Sequence, residues 1–220
     1  MMRAEPKRPS RRRFVGLLAV AALAARGVDA QGLVEGTNYL RLKNAQPVDS
    51  GNKIEVLYFS SYGCPHCRDF DPVLQPWLKQ LPADVEFRRV PVDFGREQWA
   101  NLGKALYTLE ALGVEDKLTP EVFAAVHDKR MPLWESKTFF DWAASKGLDR
   151  KKVEDTYNSF GINSKLNRAR QLAKNYNVQS VPVVFVDGKF QVSAEKVGNH
   201  AGMPAAMNQL IAKARAERKS

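Results

Sequence analysis

The sequence predicts an α/β fold in three parts: a βαβ half, a helical block and a ββα half. Three observations predict it. Two apolar, β-rich runs, residues 54–59 and 85–92, flank a segment of helical periodicity. From about Glu97 to Ala173 the apolar spacing stays helical. A third β-rich run, Val181 to Val186, leads into Asp187-Gly188, a strong hairpin signal. A chain of 220 residues with 44% hydrophobic content suffices for one domain, or one domain with a large insertion, around a real core.

The elements follow in order. Gly32 to Pro47 reads as a short lead with room for an edge strand. Ile54 to Phe59 has the composition of a buried central strand, and Ser60-Ser61-Tyr62-Gly63 breaks it. Phe70, Val73, Leu74, Trp77, Leu78 and Leu81 then recur at helical spacing. Pro65 suits the first turn of that helix, where a missing N–H costs nothing. Pro72 and Pro76 lie deeper and predict a kink or break. Val85 to Val92 is a second strand, joined to the first by a crossover expected to be right-handed. Trp99, Leu102, Leu106, Leu109 and Leu112 open the helical block. Further helices are expected at Pro120–His127, Ser136–Lys146, Lys151–Asn158 and Ser164–Tyr176, with breaks at Gly113, Gly147 and Gly161. Lys189 to Val192 returns as a strand, and a helix from Ala201 to about Ala216 closes the chain.

The formal charge of +10 points less to nucleic acid than it first suggests. Residues 1–30 hold seven Lys/Arg and two acids, a net of +5, which leaves +5 for the rest. The remaining basic residues are interleaved with acids, so no basic stripe marks a nucleic-acid surface. The same 30 residues read as an export signal. A basic stretch runs to Arg13, an apolar one from Phe14 to Ala25, and Val28-Asp29-Ala30 offers a cleavage site near Ala30. The apolar stretch falls short of the roughly 20 residues that cross a bilayer as a helix, although an uncleaved anchor is the alternative. Ser10-Arg11-Arg12-Arg13-Phe14 also resembles a twin-arginine signal, and the export route stays open.

Only two cysteines are present, Cys64 and Cys67. A loop this small constrains the unfolded chain little, so the pair reads as chemistry and not as a staple. Disulfide exchange needs a thiolate, a partner thiol and access. Cys64 follows the strand directly and opens the helix, where backbone N–H groups and the helix dipole favour negative charge. His66, between the cysteines, favours the thiolate further if it is protonated or donates a hydrogen bond. Cys67 lies one turn on and is expected to be more buried, with a higher pKa. A disulfide whose reduced form is stabilised in this way is a good oxidant. The pair could instead be half of a zinc site, but His127 and His200 are the only distant histidines and lack ligand spacing. Arg68 after Cys67 rules out haem attachment. No metal and no cofactor is expected.

Phe59-Ser60-Ser61-Tyr62-Gly63-Cys64-Pro65-His66-Cys67, with Ser180-Val181-Pro182-Val183-Val184-Phe185-Val186-Asp187-Gly188-Lys189 downstream, resembles the DsbA family of periplasmic disulfide oxidases. Val122 to His127 and Asp155 to Phe160 support the likeness, which covers nearly everything after residue 36. The resemblance implies a thioredoxin fold with an inserted α-helical domain. Residues 1–30 would be the signal peptide, 31–95 and 174–220 the discontinuous thioredoxin-like domain, and 96–173 the insertion. It implies Cys64, Cys67 and His66 as catalytic residues, with Pro65 tuning them. It also implies a cis Val181–Pro182 peptide, whose exposed backbone would pair with an extended substrate. The implied partners are reduced or unfolded exported proteins and a DsbB-like, quinone-linked membrane protein that reoxidises the dithiol. The implied location is the periplasm, and the implied state a monomer.

One departure stands out. Family members often carry an acid six residues before the first cysteine, thought to help move the proton of the buried cysteine. Here that position is Tyr58, so Glu55, Asp93 or water would have to serve. Otherwise Tyr58 reads as core, and Trp77, Trp99, Trp134 and Trp142 as packing, one of them approaching the disulfide. His127 and His200 read as structural or solvent-exposed. Arg68, Asp69 and Asp71 read as a solvated helix face, with Asp71 a weak tuner of the site from the first turns as the alternative. Two other functions compete. One is a disulfide isomerase or reductase, although Gln31 to Asn52 is too short for an added dimerisation domain. The other is a peptide-holding chaperone that uses the groove beside Pro182 without catalysis.

Overall fold

Five strands form one sheet in the spatial order Leu40–Arg41, Phe190–Val192, Val183–Val186, Ile54–Ser60, Val85–Pro91. The computed structural model describes residues 1–2 and 32–219, so the export-signal reading lies outside the described residues apart from Met1 and Met2. The chain divides into Met1–Gln31 and Gly32–Ser220, and the second unit holds every strand and helix among the described residues. The strands are β1 (Leu40–Arg41), β2 (Ile54–Ser60), β3 (Val85–Pro91), β4 (Val183–Val186) and β5 (Phe190–Val192). The helices are α1 (Pro65–Leu78), α2 (Glu97–Ala111), α3 (Glu115–Phe123), α4 (Ser136–Ser145), α5 (Arg150–Asn158), α6 (Phe160–Asn175), α7 (Ala194–Val197) and α8 (Met203–Lys219). A π-helical turn, Ala124–Asp128, continues α3, and a 3-10 turn, His200–Gly202, precedes α8.

β2 is the central strand, parallel to β3 and antiparallel to β4. All seven of its residues are buried, as expected of a strand covered on both faces. Its alternation splits the core in two. Leu57 and Phe59 join Phe185 and the helices of the middle block. Ile54, Val56 and Tyr58 join Phe70 and Leu74 of α1 with Met207 and Leu210 of α8. The β4–β5 hairpin turns at Asp187 and Gly188, both with positive φ, the pattern of a type I′ turn. Gly188 is required there twice over, because a Cβ would also run into the backbone carbonyl of Gln46.

The structure departs from expectation in three places. α1 runs unbroken through Pro72 and Pro76. Both prolines are exposed and four residues apart, so the carbonyls they leave without a helical partner lie on the solvent face, where water can serve them. The break expected at Gly161 falls at Ser159, whose hydroxyl caps α6 by accepting from the Ile162 N–H at 3.3 Å. α3 begins at Glu115 and not at Pro120, with Glu115 and Asp116 in the first turn, where the helix dipole favours acids. No helix among the described residues is long and apolar enough to cross a membrane.

Candidate active site

Both cysteines stand where β2 gives way to α1. Ser61 to Cys64 is a turn closed by the Cys64 N–H on the Ser61 carbonyl, 3.0 Å. Cys64 is the N-cap of α1, with extended backbone (φ −95°, ψ 119°), and Pro65 fills the first helical position. The N–H groups that any helix start leaves unbonded lie at this end of α1, though the Cys64 sulfur makes no capping hydrogen bond to them. Cys64 is 5% exposed and Cys67 is fully buried, whereas Pro65 and His66 are exposed.

The acidities of the two thiols are driven apart. Cys64 falls to about 6. The largest cause is the hydrogen bond from the Cys67 thiol; burial opposes it, and the backbone N–H groups of Cys67 and His66 and the charge of His66 add smaller shares. The order matters, since sequence alone points first to the helix start and His66. Burial pushes the Cys67 thiol well up, and the neighbouring Cys64 pushes it further. Across from them the Val181–Pro182 peptide is cis, as the resemblance implies. The Cys64 thiol lies 3.6 Å from the Val181 carbonyl oxygen, and no backbone–backbone hydrogen bond involves Val181 among the described residues. The sequence-predicted residues Cys64, Pro65, His66, Cys67, Val181 and Pro182 thus meet at one place. Among the described residues no group of three or more His, Cys, Asp or Glu is arranged to hold a metal.

Comparison with known proteins is decisive. The family described as DSBA-like thioredoxin domain matches residues 55–201. The chain is 37% identical over 206 residues to the thiol:disulfide interchange protein DsbA of Pseudomonas aeruginosa, covering 94% of this chain and 97% of that one. It is 38% identical over 208 residues to the protein of the same name from Bordetella parapertussis, covering 92% and 97%. The chain belongs to the DsbA family. Among solved structures, Pseudomonas aeruginosa DsbA matches with a TM-score of 0.81 at 38% identity, over 86% of this chain and 97% of that one. Reduced DsbA1 from Neisseria meningitidis matches with a TM-score of 0.78 at 28% identity, over 86% and 98%. As a DsbA-family member the chain is a protein-disulfide oxidoreductase with a thioredoxin-like fold.

Within the DsbA frame, Tyr58 sits where an acid is common. Its ring is fully buried against Phe70 and Phe87, and its hydroxyl has no aligned hydrogen-bond partner. Burial holds the phenol well above its ordinary pKa, and the adjacent Cys67 raises it further. Neither expected substitute stands beside Cys67. Glu55 is tied to Arg88 and accepts the Asp49 N–H at 3.2 Å; Asp93 is tied to Arg170 at 2.6 Å. The acid nearest in register is Asp71, one turn beyond Cys67 on the same face of α1 and 3% exposed. It is not the solvated residue its charged neighbours suggest. Arg89 of β3 explains its burial: it lies 3.4 Å from Asp71 and 2.7 Å from Glu115 of α3, with its guanidinium 5.5 Å from the Tyr58 ring centre. Burial raises both carboxyls against the pull of Arg89. The spacing Cys67–Phe70–Asp71–Leu74, one helical stripe, was the available signal.

Three more residues reach the site unannounced by spacing. Trp99 is the tryptophan that approaches it: a Cβ on Gly63 would stand 2.6 Å from its indole nitrogen. His127 bonds the Tyr62 carbonyl at 2.8 Å. His200 packs 5.6 Å from Phe70, and its pKa is lowered first by burial, with Asp69 opposing and His66 adding. Tyr58→Phe removes a buried hydroxyl that has no aligned partner, so it should change unfolding free energy by less than about 0.5 kcal/mol or stabilise the fold. A loss above about 2 kcal/mol in urea melts would show that the hydroxyl is satisfied after all.

Proposed function

We propose that the chain donates a Cys64–Cys67 disulfide to reduced, exported proteins in the periplasm, as a monomer, after removal of a signal peptide ending near Ala30. A substrate thiolate attacks Cys64 Sγ. The Cys64–Cys67 bond breaks, a substrate–Cys64 mixed disulfide forms, and Cys67 leaves as a thiolate that takes up a proton. A second substrate thiolate attacks the substrate sulfur of that mixed disulfide and releases Cys64 as a thiolate. The substrate loses two electrons and the cysteine pair gains them. A DsbB-like, quinone-linked membrane protein then accepts the two electrons and restores the disulfide. Residues 31–95 and 174–220 act as the thioredoxin-like domain and 96–173 as its insertion.

The observation that carries this reading is the placement of the cysteines, Cys64 at the N-cap of α1 beside the cis Val181–Pro182 peptide and Cys67 buried one turn inside; their acidities diverge accordingly, Cys64 at about 6 and Cys67 pushed up. Cys64 is the better leaving group and the sulfur near Val181; Cys67 is the internal partner. His66 supports the thiolate through its N–H and its charge, and Pro65 starts the helix that supplies the N–H groups. The Val181 backbone, without a backbone hydrogen bond of its own, suits an extended substrate segment added as a strand. At pH 7 a sulfur at about 6 instead of 9.0 stabilises the dithiol by at most about 1.4 kcal/mol, about 30 mV for two electrons. Solvent that still reaches the sulfur reduces that figure.

Two experiments test the reading. Iodoacetamide alkylation of Cys64 in the reduced protein should have its midpoint near pH 6 and His66→Ser should raise it; a midpoint above about pH 7.5 contradicts the assignment. Melting provides the second. The folded pKa of Cys64 lies below the unfolded one, so its stabilisation of the reduced form is fully present above pH 9 and lost as pH falls through about 6. The reduced protein should therefore melt above the oxidised one at pH 8, with a smaller gap at pH 5. A reduced form that melts lower at pH 8 overturns the account.

A further inference from the structure

The turn that delivers the chain to Cys64 has a freedom that the sequence does not remove. Gly63 is the third residue of the Ser61–Cys64 turn. Its φ is not positive, so the turn is of the type I kind. Glycine also accepts the positive φ that a type II turn needs at this position. The two forms interconvert by rotation of one peptide, Tyr62–Gly63, which reverses its carbonyl. No other residue can take the place of Gly63 and bar that rotation, because Trp99 occupies the space of a Cβ.

Two hydrogen bonds oppose the rotation, one from within the turn and one from outside it. The Gly63 N–H donates to Ser61 Oγ at 3.1 Å, and at the other end of the same peptide His127 Nε2 lies 2.8 Å from the Tyr62 oxygen. A carbonyl oxygen only accepts, so Nε2 carries the proton and donates. His127 belongs to the π-helical turn that continues α3, a local widening of the kind often found at functional sites. α3 and its continuation make two more contacts here: Thr119 Oγ1 with the Tyr62 hydroxyl of the turn at 2.7 Å, and Asp128 with Arg68 of α1 at 3.0 Å. His127 is the contact that bears on the peptide itself.

We propose that His127 is a positioning residue for thiol–disulfide exchange: by donating to the Tyr62 carbonyl it holds the turn in one form and so fixes Cys64 at the start of α1. The inference rests on the reading of Cys64 as the exchanging sulfur. Reversing the peptide changes the direction from which the chain enters the N-cap, and with it the position of the sulfur at the start of α1 and beside the Val181 carbonyl, 3.6 Å away. The helical block then does more than cover the sheet; it sets the geometry of the reactive thiol.

The test compares His127→Gln, whose side-chain amide can still donate, with His127→Met, which has similar size and no donor. Both are made in the full chain and read by the pH profile of Cys64 alkylation, the exchange rate with a small disulfide, and the melting temperature. The Gln variant should keep the wild-type midpoint. The Met variant should raise it by about half a pH unit or more and slow exchange at pH 6 by up to about twofold for each such half unit. A folded Met variant with the wild-type midpoint overturns the inference. So does a Gln variant displaced as far as Met, since packing and not the donor would then be at work; if the Met variant does not fold, a displaced midpoint in folded Gln overturns it alone. A wild-type midpoint above about pH 7.5 instead defeats the reading of Cys64 itself and is recognisable before either variant is made.

Discussion

The placement of the Cys64 sulfur beside the buried Cys67 thiol, at the start of α1, is the constraint on which the rest of this structure depends. It exists only because β2 ends where α1 begins, so that one cysteine caps the helix and the other lies one turn inside it. The cap position gives the first sulfur unbonded N–H groups. The interior position denies the second sulfur water, which keeps its proton in place and available to the first. Burial thus acts with opposite sign on two chemically identical groups. The sheet supports this by burying β2 on both faces, which leaves the strand no freedom to shift the junction.

A buried ionic cluster lies behind the cysteines. Arg89 faces two carboxyls, Asp71 and Glu115, drawn from α1 and from the helical block. Removing one partner from such a group costs far more than the group contributes intact, so it ties the block to the sheet. Together with Thr119, His127 and Asp128, it makes α3 and its π-helical continuation the element through which the middle of the chain reaches the active site.

Much of this was legible in the sequence, and the reasons differ by residue. Ile54 to Phe59 reads as a central strand because a strand buried on both faces calls for apolar residues, chiefly β-branched and aromatic, at nearly every position, and only Glu55 interrupts them. Cys64, Pro65, His66 and Cys67 are legible because N-cap chemistry and proline placement are local. Asp187-Gly188 is legible because a type I′ turn needs positive φ at both residues. Asp71 was misread because its burial depends on Arg89, eighteen residues away on another element. The parts played by His127 and Trp99 were invisible for the same reason: each is defined by contact with Tyr62 or Gly63 across the fold. Pro72 and Pro76 misled because their cost depends on which face of the helix meets solvent, a tertiary fact.

The central claim is thermodynamic: holding the sulfur of Cys64 ionised makes its bond to Cys67 easy to give away. The reduction potential of the Cys64/Cys67 pair, measured by equilibration with glutathione at pH 7, tests it directly. The account predicts a potential more oxidising than the roughly −270 mV of thioredoxin. A value at or below the roughly −270 mV of thioredoxin would contradict it and leave the pair a reductant.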